Sequence, residues 1–321
     1  MEKGLNLKSK NKESLAAFLF LTPNMIGFLV FIFLPVVFSL ILSFFQWELI
    51  GSGESLFSNL KFVGFANFIK LLGFHLKDGH LVANDPHFWQ YLYNTIFLML
   101  AIPVGILGSL ILAIAVNQRL KGVVLYRVIF FLPVICPIAA IAVLWKVLLN
   151  PDFGLINSLI VKFSTLLGLE LAGPNWLSDA RWAKPAIMIV NLWMTIGGYN
   201  MILYLAALQG IPKDLYEAAN IDGASSWHKF RYITVPMISP TTFFITIMSI
   251  IGGLQGSFAI IYILTGGGPA GSSTTIMYYI FTNLYEFQKA GYAAAVAWVL
   301  FILIFLFSRV FWKKGGSLVH Y

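Results

Sequence analysis

Tyr216–Pro236 reads YEAANIDGASSWHKFRYITVP, the one polar island between two long apolar runs. Its spacing is regular: Glu217-Ala218-Ala219, three residues, Gly223, nine residues, Ile233, one residue, Val235-Pro236. Pro212 suits the first turn of a helix. Asp214 and Glu217 lie near that helix's start, where acidic groups complement the dipole. Leu215, Ala218, Ala219 and Ile221 give it a small, partly apolar face. Gly223 can take the positive φ that ends a helix. Ser225 or Ser226 can cap a second short helix, and Pro236 closes the island. A plain loop is one reading. The other is a shallow alanine knob that fits a groove in another protein, a common recognition mode for short helices.

The surroundings place this island on a membrane. Of 321 residues, 11% are charged and 59% hydrophobic, and the mean hydropathy is +0.83. Soluble domains carry roughly 25% charged residues. A chain this apolar needs the bilayer as its solvent. The 16% aromatic content, with nine Trp, fits rings anchored at two membrane interfaces. The +8 net charge is spread without a long basic patch, which argues against nucleic acid as a partner. Cys136 is the single cysteine, so the chain offers no internal disulfide and no thiolate cluster for a metal. Beside Pro137 in an apolar run, it reads as a packed, inert thiol.

Six apolar runs stand out: Ala16–Phe45, Tyr91–Asn117, Val128–Leu149, Pro185–Gln209, Met237–Leu264 and Ala290–Trp312. Each reaches the ~20 residues a membrane helix needs. Pro35 and Pro103 inside spans read as tolerated kinks. The expected fold is all-α and integral to the membrane, with six transmembrane helices. The first run follows Lys3, Lys8, Lys10 and Lys12, but it is long and lacks a small-residue cleavage site, so it reads as an uncleaved span. With the N-terminus inside, the inner segments hold 13 of the 21 Lys and Arg, Arg119 and Lys314 among them, and the outer segments hold 8. Acidic residues make the inside +8 and the outside neutral. This places both termini and the island in the cytoplasm.

The spans carry no Asp, Glu or His at depth, and all five His fall in loops. Self-powered transporters usually place ionisable groups there. A stand-alone secondary transporter and a membrane enzyme are therefore disfavoured, and any energy comes from another subunit. The loop Gln46–Gln90 mixes Gly51, Gly53, Gly64, Gly73 and Asp78-Gly79 with Trp47, Phe57, Phe62, Phe65, Phe68 and Trp89. It reads as an ordered external loop or a docking surface. Asn150–Lys184 is the second long outer loop, with a short surface helix expected over Leu155–Gly168. Thr265-Gly266-Gly267-Gly268-Pro269 lacks the Lys of a phosphate-binding loop and reads as a flexible turn. No nucleotide motif is present.

The island's spacing resembles the signature of inner-membrane permease subunits of binding-protein-dependent ABC importers, EAA-x3-G-x9-I-x-L-P, with Val235 in place of Leu. The longer string Leu208–Ala224 is similar to the carbohydrate branch, of maltose and glycerol-phosphate type. So are Thr265–Pro269, Asn150-Pro151-x-x-Gly154-x-x-Asn157, Gly291–Ala295, Leu34-Pro35, Ser43-Phe44 and Phe62-Val63-Gly64. The resemblance implies a type I ABC importer permease fold in the bacterial inner membrane. It divides the chain into a cytoplasmic tail over 1–15, a first helix over 16–45, an external loop over 46–90, a five-helix core over 91–312 with the coupling loop at 210–236, and a tail over 313–321.

The resemblance also implies a transport subunit without enzymatic activity, metal or cofactor of its own. The implied partners are a second permease, two ATPase subunits that use ATP and Mg, an external solute-binding protein, a sugar and membrane lipid. A glycerol phosphodiester or a polyol is the alternative cargo. The implied ATPase-docking residues are Glu217, Ala218, Ala219, Asp222 and Gly223. The implied substrate path is Asn191, Trp193, Gly197 and Tyr199 before the island and Gln255 and Ser257 after it. The first of these segments is one residue longer than the maltose-type pattern, and Ser257 stands where that pattern has an amide. Polar groups here could instead bond helix to helix.

Overall fold

In hydrocarbon every backbone polar group must be paired within the chain, and helices achieve this. The computed structural model describes residues 2–48, 59–118, 121–169 and 171–315, with side chains from residue 12 onward except that of residue 314. Gly51, Gly53, Phe57, Arg119 and the tail from residue 316 lie outside the described residues, as do the side chains of Lys3, Lys8, Lys10 and Lys314. Among the described residues, four helices are long and apolar enough to cross a membrane: Lys12–Leu42, Pro86–Val116, Ala180–Gln209 and Ala290–Lys313. Two bent pairs raise the number to six if each pair is one span. Four of the six expected runs fall on these helices, while the third and fifth runs are interrupted by bends.

The chain divides into two units. The first comprises residues up to Asn84 together with Thr282–Trp298. Helix α1 (Glu2–Phe28) passes through a π turn at Leu29–Phe33 into α2 (Leu34–Leu42). Pro35 lies two residues after that π turn, and its i−4 residue, Phe31, lies within it. The wider turn relieves the clash a proline ring makes inside an α-helix. The all-α expectation needs one correction in the next segment, which forms two small antiparallel pairs. Strand β1 (Phe45–Gln46) pairs with β2 (Lys61–Phe62). After α3 (Ala66–Leu72), β3 (Phe74–Lys77) pairs with β4 (His80–Ala83). Asp78 (φ 52°) and Gly79 (φ 76°) form its two-residue turn, the geometry that matches strand twist. Asn67 ties this segment to the end of the first span by donating to the carbonyls of Ser43 and Phe45, both at 2.9 Å. Gly291 meets the Phe45 carbonyl so closely that a Cβ has no room.

The second unit comprises Asp85–Phe281 and the residues from Val299. Asp85 caps α4 (Pro86–Met99) through the Phe88 amide and accepts from the Tyr279 hydroxyl at 2.7 Å. Helix α5 (Ala101–Val116) buries Ala101, Gly105, Ser109 and Ala113, one small residue per turn. Such a stripe lets backbones approach closely. A Cβ on Gly105 would meet Thr195 Cγ2 at 3.1 Å, and one on Gly108 would meet Ile196 Cγ1 at 2.8 Å. Helices α6 (Val123–Ile135) and α7 (Ile138–Leu148) meet at 100°, so the third apolar run is not one straight span. Pro137 forces Cys136 into an extended conformation (ψ 139°) there, as a residue before proline prefers. The bend leaves Cys136 exposed, which corrects the expectation of a packed thiol.

Helix α8 (Leu155–Leu166) is the expected short helix. Helices α9 (Ala180–Ile196) and α10 (Tyr199–Gln209) join through Gly197-Gly198. The island supplies α11 (Lys213–Ile221), α12 (Ser226–Lys229), a π turn at Phe230–Thr234 and α13 (Val235–Met237). Pro236, like Pro35, follows its π turn. Helix α14 (Ser239–Gln255) is set at 63° to the preceding segment. The fifth apolar run breaks again at Gly256 (φ 70°) before α15 (Phe258–Leu264). Helix α16 (Ile276–Phe281) follows, and the later turns of α17 (Ala290–Gly315) set Phe311 and Trp312 on Phe243 at 5.7 and 5.5 Å. One buried cluster joins α5, α10 and α14 around Met201, Tyr204 and Ile245, and another joins α7, α9 and α15 around Ala142, Val190 and Ile260.

Candidate functional site

The polar island is a protruding helix held by its rear edge. Helix α11 buries none of its residues. Glu217, Ala218 and Asp222 are exposed, Ala219 is half-buried, and Ile221 is 87% exposed. The helix ends as its sequence dictates. Gly223 has φ 72° with open space around it. The Ala224 amide donates to the Ala219 carbonyl at 2.8 Å and the Gly223 amide to the Asn220 carbonyl at 3.1 Å. This pair of bonds is the Schellman stop. Ser225 caps α12 by accepting from the His228 amide. Pro212 precedes the first helical residue, and Asp214 sits in the first turn.

Three contacts hold α11 to the segment that follows it and to the core. The Tyr216 hydroxyl bonds Thr234 Oγ1 at 2.8 Å, and Thr234 is buried. Lys229 donates to Asn220 Oδ1 at 2.7 Å. Tyr216 and Ile233 also pack on the α5–α10–α14 cluster. Two hydrogen bonds thus join α11 to the Lys229–Thr234 segment that follows it, and apolar packing joins both to the cluster of α5, α10 and α14.

A second feature lies deeper in this unit. A cavity of ≈ 550 Å³ is lined by α4, α5, α7, α9, α14 and α15. Its polar groups are Asn191, Thr195, Ser249 and Ser257. Ser257 donates to Asn191 Oδ1 at 3.0 Å, so the structure joins two of the expected path residues across 66 positions of sequence. The other four stand outside the lining. Trp193 is 42% exposed and edge-on to Trp145 at 5.7 Å. Gly197 is buried against the Phe130 carbonyl, where no Cβ fits. Tyr199 is 67% exposed with its ring against Phe131. Gln255 is exposed at the end of α14. Thr195, Ser249, Gly252, Gly253 and Gly256 line the cavity without having been singled out. The signal was present: 249, 252, 253 and 256 fall at i, i+3, i+4 and i+7, one helix face of small residues.

The Gly-rich segment after α15 is stapled rather than loose, contrary to the flexible turn expected. Thr265 Oγ1 bonds Ser273 Oγ at 2.8 Å, Ser273 donates to the Gly268 carbonyl at 2.7 Å, and Thr274 donates to the Gly267 carbonyl at 2.8 Å. Gly266 (φ 58°) and Gly267 (φ 80°) adopt the conformations this fold-back needs.

A family model for the binding-protein-dependent transport system inner membrane component matches residues 90–312. The chain is 38% identical over 297 residues to the lactose transport system permease protein LacF of Rhizobium radiobacter, with 90% of each chain covered. It is 32% identical over 316 residues to the trehalose/maltose transport system permease protein MalF of Thermococcus litoralis, with 98% of each covered. Among solved structures, it resembles a chain in the crystal structure of a bacterial ABC transporter involved in the import of the acidic polysaccharide alginate. The TM-score is 0.78 at 22% identity, covering 97% of this chain and 99% of that one. At that identity the likeness is one of fold.

Proposed function

This chain belongs to the family of binding-protein-dependent transport system inner membrane components, and from that premise we propose that it is the permease subunit of an ATP-driven sugar importer. It forms half of a path that opens alternately to the two sides of the bacterial inner membrane. A second, similar permease supplies the other half. Two ATPase subunits, which use ATP and Mg, drive the cycle, and an external solute-binding protein delivers the sugar. The chain itself does no covalent chemistry. Its N- and C-termini and the polar island face the cytoplasm, as the Lys and Arg distribution favours.

The observation that carries this reading is α11, a helix with no buried residue, stopped sharply at Gly223 and tied at its rear to the core. Glu217, Ala218, Ala219, Asp222 and Gly223 present the surface that docks in an ATPase cleft. Closure of the ATPases pushes this surface, and the Tyr216–Thr234 and Lys229–Asn220 links pass the movement to the segment that leads through α13 into α14. Helix α14 lines the cavity with Ser249, Gly252 and Gly253, so the push reaches the substrate path. Asn191, Thr195, Ser249 and Ser257 offer neutral donors and acceptors suited to hydroxyl groups. Trp193, Tyr199 and Gln255, expected on the substrate path, stand outside this lining and become candidates for the face that meets the second permease. The exposed hairpin at Phe74–Ala83 is a candidate contact for the binding protein.

The test is uptake of a panel of labelled sugars by the full complex in proteoliposomes, with and without ATP. We expect ATP-dependent accumulation of at least one sugar. Asn191→Leu should abolish it while leaving ATPase assembly intact. Uptake of no sugar with ATP present would overturn the reading.

A further inference from the structure

One basic side chain stands in line with the cavity and is not used by the reading above. Helix α9 lines the cavity with Asn191, Leu192, Met194 and Thr195. Lys184 lies seven residues before Asn191. Seven residues are close to two full turns, so both project from the same helix face, about 10 Å apart along the axis. On α4, Asn94 lies one turn from the cavity residue Leu98. Lys184 Nζ donates to Asn94 Oδ1 at 3.0 Å. It also sits 4.9 Å above the Tyr93 ring and 5.0 Å above that of Phe97.

Every one of these partners is neutral. Among the described residues no carboxylate pairs with Lys184, and the acidic residue nearest in sequence, Asp179, pairs with Arg181. Lys184 is half-buried and near the start of α9, where the helix dipole disfavours a cation. Asn94 is 1% exposed, and its amide donates to the Gly271 and Thr274 carbonyls at 2.9 Å each. Its Oδ1 is thereby turned to the ammonium, which is held in place rather than free to swing away. An ammonium has three donors, and Asn94 takes one. The result is a fixed, uncompensated positive charge two turns from a cavity whose own polar groups carry none.

We propose that Lys184 is a specificity-determining residue that recognises an anionic group, a carboxylate or a phosphate, on the saccharide. The ammonium holds the charged end, and Asn191, Thr195, Ser249 and Ser257 take the hydroxyls further in. This rests on the reading of the cavity as part of a sugar path.

The experiment measures ATP-driven uptake by the reconstituted full complex of three labelled probes: a neutral disaccharide, a disaccharide bearing a uronate, and one bearing a phosphate. The wild-type complex should take up at least one anionic probe, and the two anionic arms tell carboxylate from phosphate. Lys184→Met should lower uptake of that probe at least about tenfold, the scale of one charge-assisted hydrogen bond. Lys184→Arg should restore most of it. Neutral-sugar uptake and the melting temperature in detergent should stay near wild type. Uptake of the neutral probe alone overturns the proposal and leaves the transport reading standing, whereas uptake of none overturns both. Equal loss on all probes, or a lower melting temperature in Lys184→Met, assigns Lys184 a purely structural role and also overturns it.

Discussion

Gly223 shows how much one residue can decide. Its φ of 72° lies in the left-handed region, where a residue with a Cβ costs about 1–2 kcal/mol. No neighbour lies within 4 Å of its missing Cβ, so a substitution there strains the backbone without creating a clash. Gly223→Val should therefore disturb the end of α11 and little else. We expect uptake to fall at least about tenfold with membrane abundance unchanged, measured by transport assay beside an immunoblot. Normal uptake would remove Gly223 from the coupling surface. This residue's role was readable from the sequence because every bond it needs runs to a residue within five positions. Asn191 and Ser257 were also named from the sequence, but their hydrogen bond spans 66 positions and nothing local announces it. Trp193, Tyr199 and Gln255 were named with them and point elsewhere. Trp193 lies two residues beyond Asn191 on the same helix, about 200° around it, and Tyr199 lies beyond the break at Gly197-Gly198.

At the scale of elements, proline and glycine decide where the apolar runs bend. Pro137 turns the third run through 100°, and Pro35 and Pro236 each follow a π turn. Length and hydropathy alone treat these runs as straight, because neither quantity contains a direction. The α5 stripe of Ala101, Gly105, Ser109 and Ala113 is a comparable case. Its four-residue period was present in the sequence, but its partner was not. The structure supplies α9 and α10 as that partner, with Ser109 donating to the Thr195 carbonyl at 3.1 Å. Gly108 sits beside the stripe, and a larger side chain there must displace Ile196. Gly108→Leu should cost about 1–3 kcal/mol, as overpacking usually does. A thermal unfolding scan of the purified protein in detergent will register this as a lower melting temperature, and an unchanged one would show that the α5–α9 contact yields easily.

For the whole molecule the central question is which end of the spans faces the cytoplasm. The Lys and Arg distribution sets an expectation that a labelling experiment can meet directly. Cys136 is the single cysteine, so Cys136→Ala gives a cysteine-free background. In that background Asp78→Cys marks the β3–β4 turn and Asp222→Cys marks the end of α11. Both positions are exposed. A membrane-impermeant maleimide should label the first in intact cells and the second only in inverted vesicles. Labelling of both from one side would overturn the proposed topology.

Taken alone, the sequence determined that this is a membrane protein of many apolar helices carrying one polar helix-turn-helix segment. Those conclusions rest on composition, run length and bonds between near neighbours, which a linear string contains in full. Tertiary structure decided the rest: the two bends, the exposure of Cys136, the stapled Gly-rich loop and a cavity assembled from six helices. The bends turn on the dihedrals beside a proline or glycine and the loop on bonds five to eight residues apart, whereas the cavity depends on side chains that meet across tens of residues. Van der Waals contacts and hydrogen bonds reach only a few ångströms, so such meetings exist only once the chain has packed.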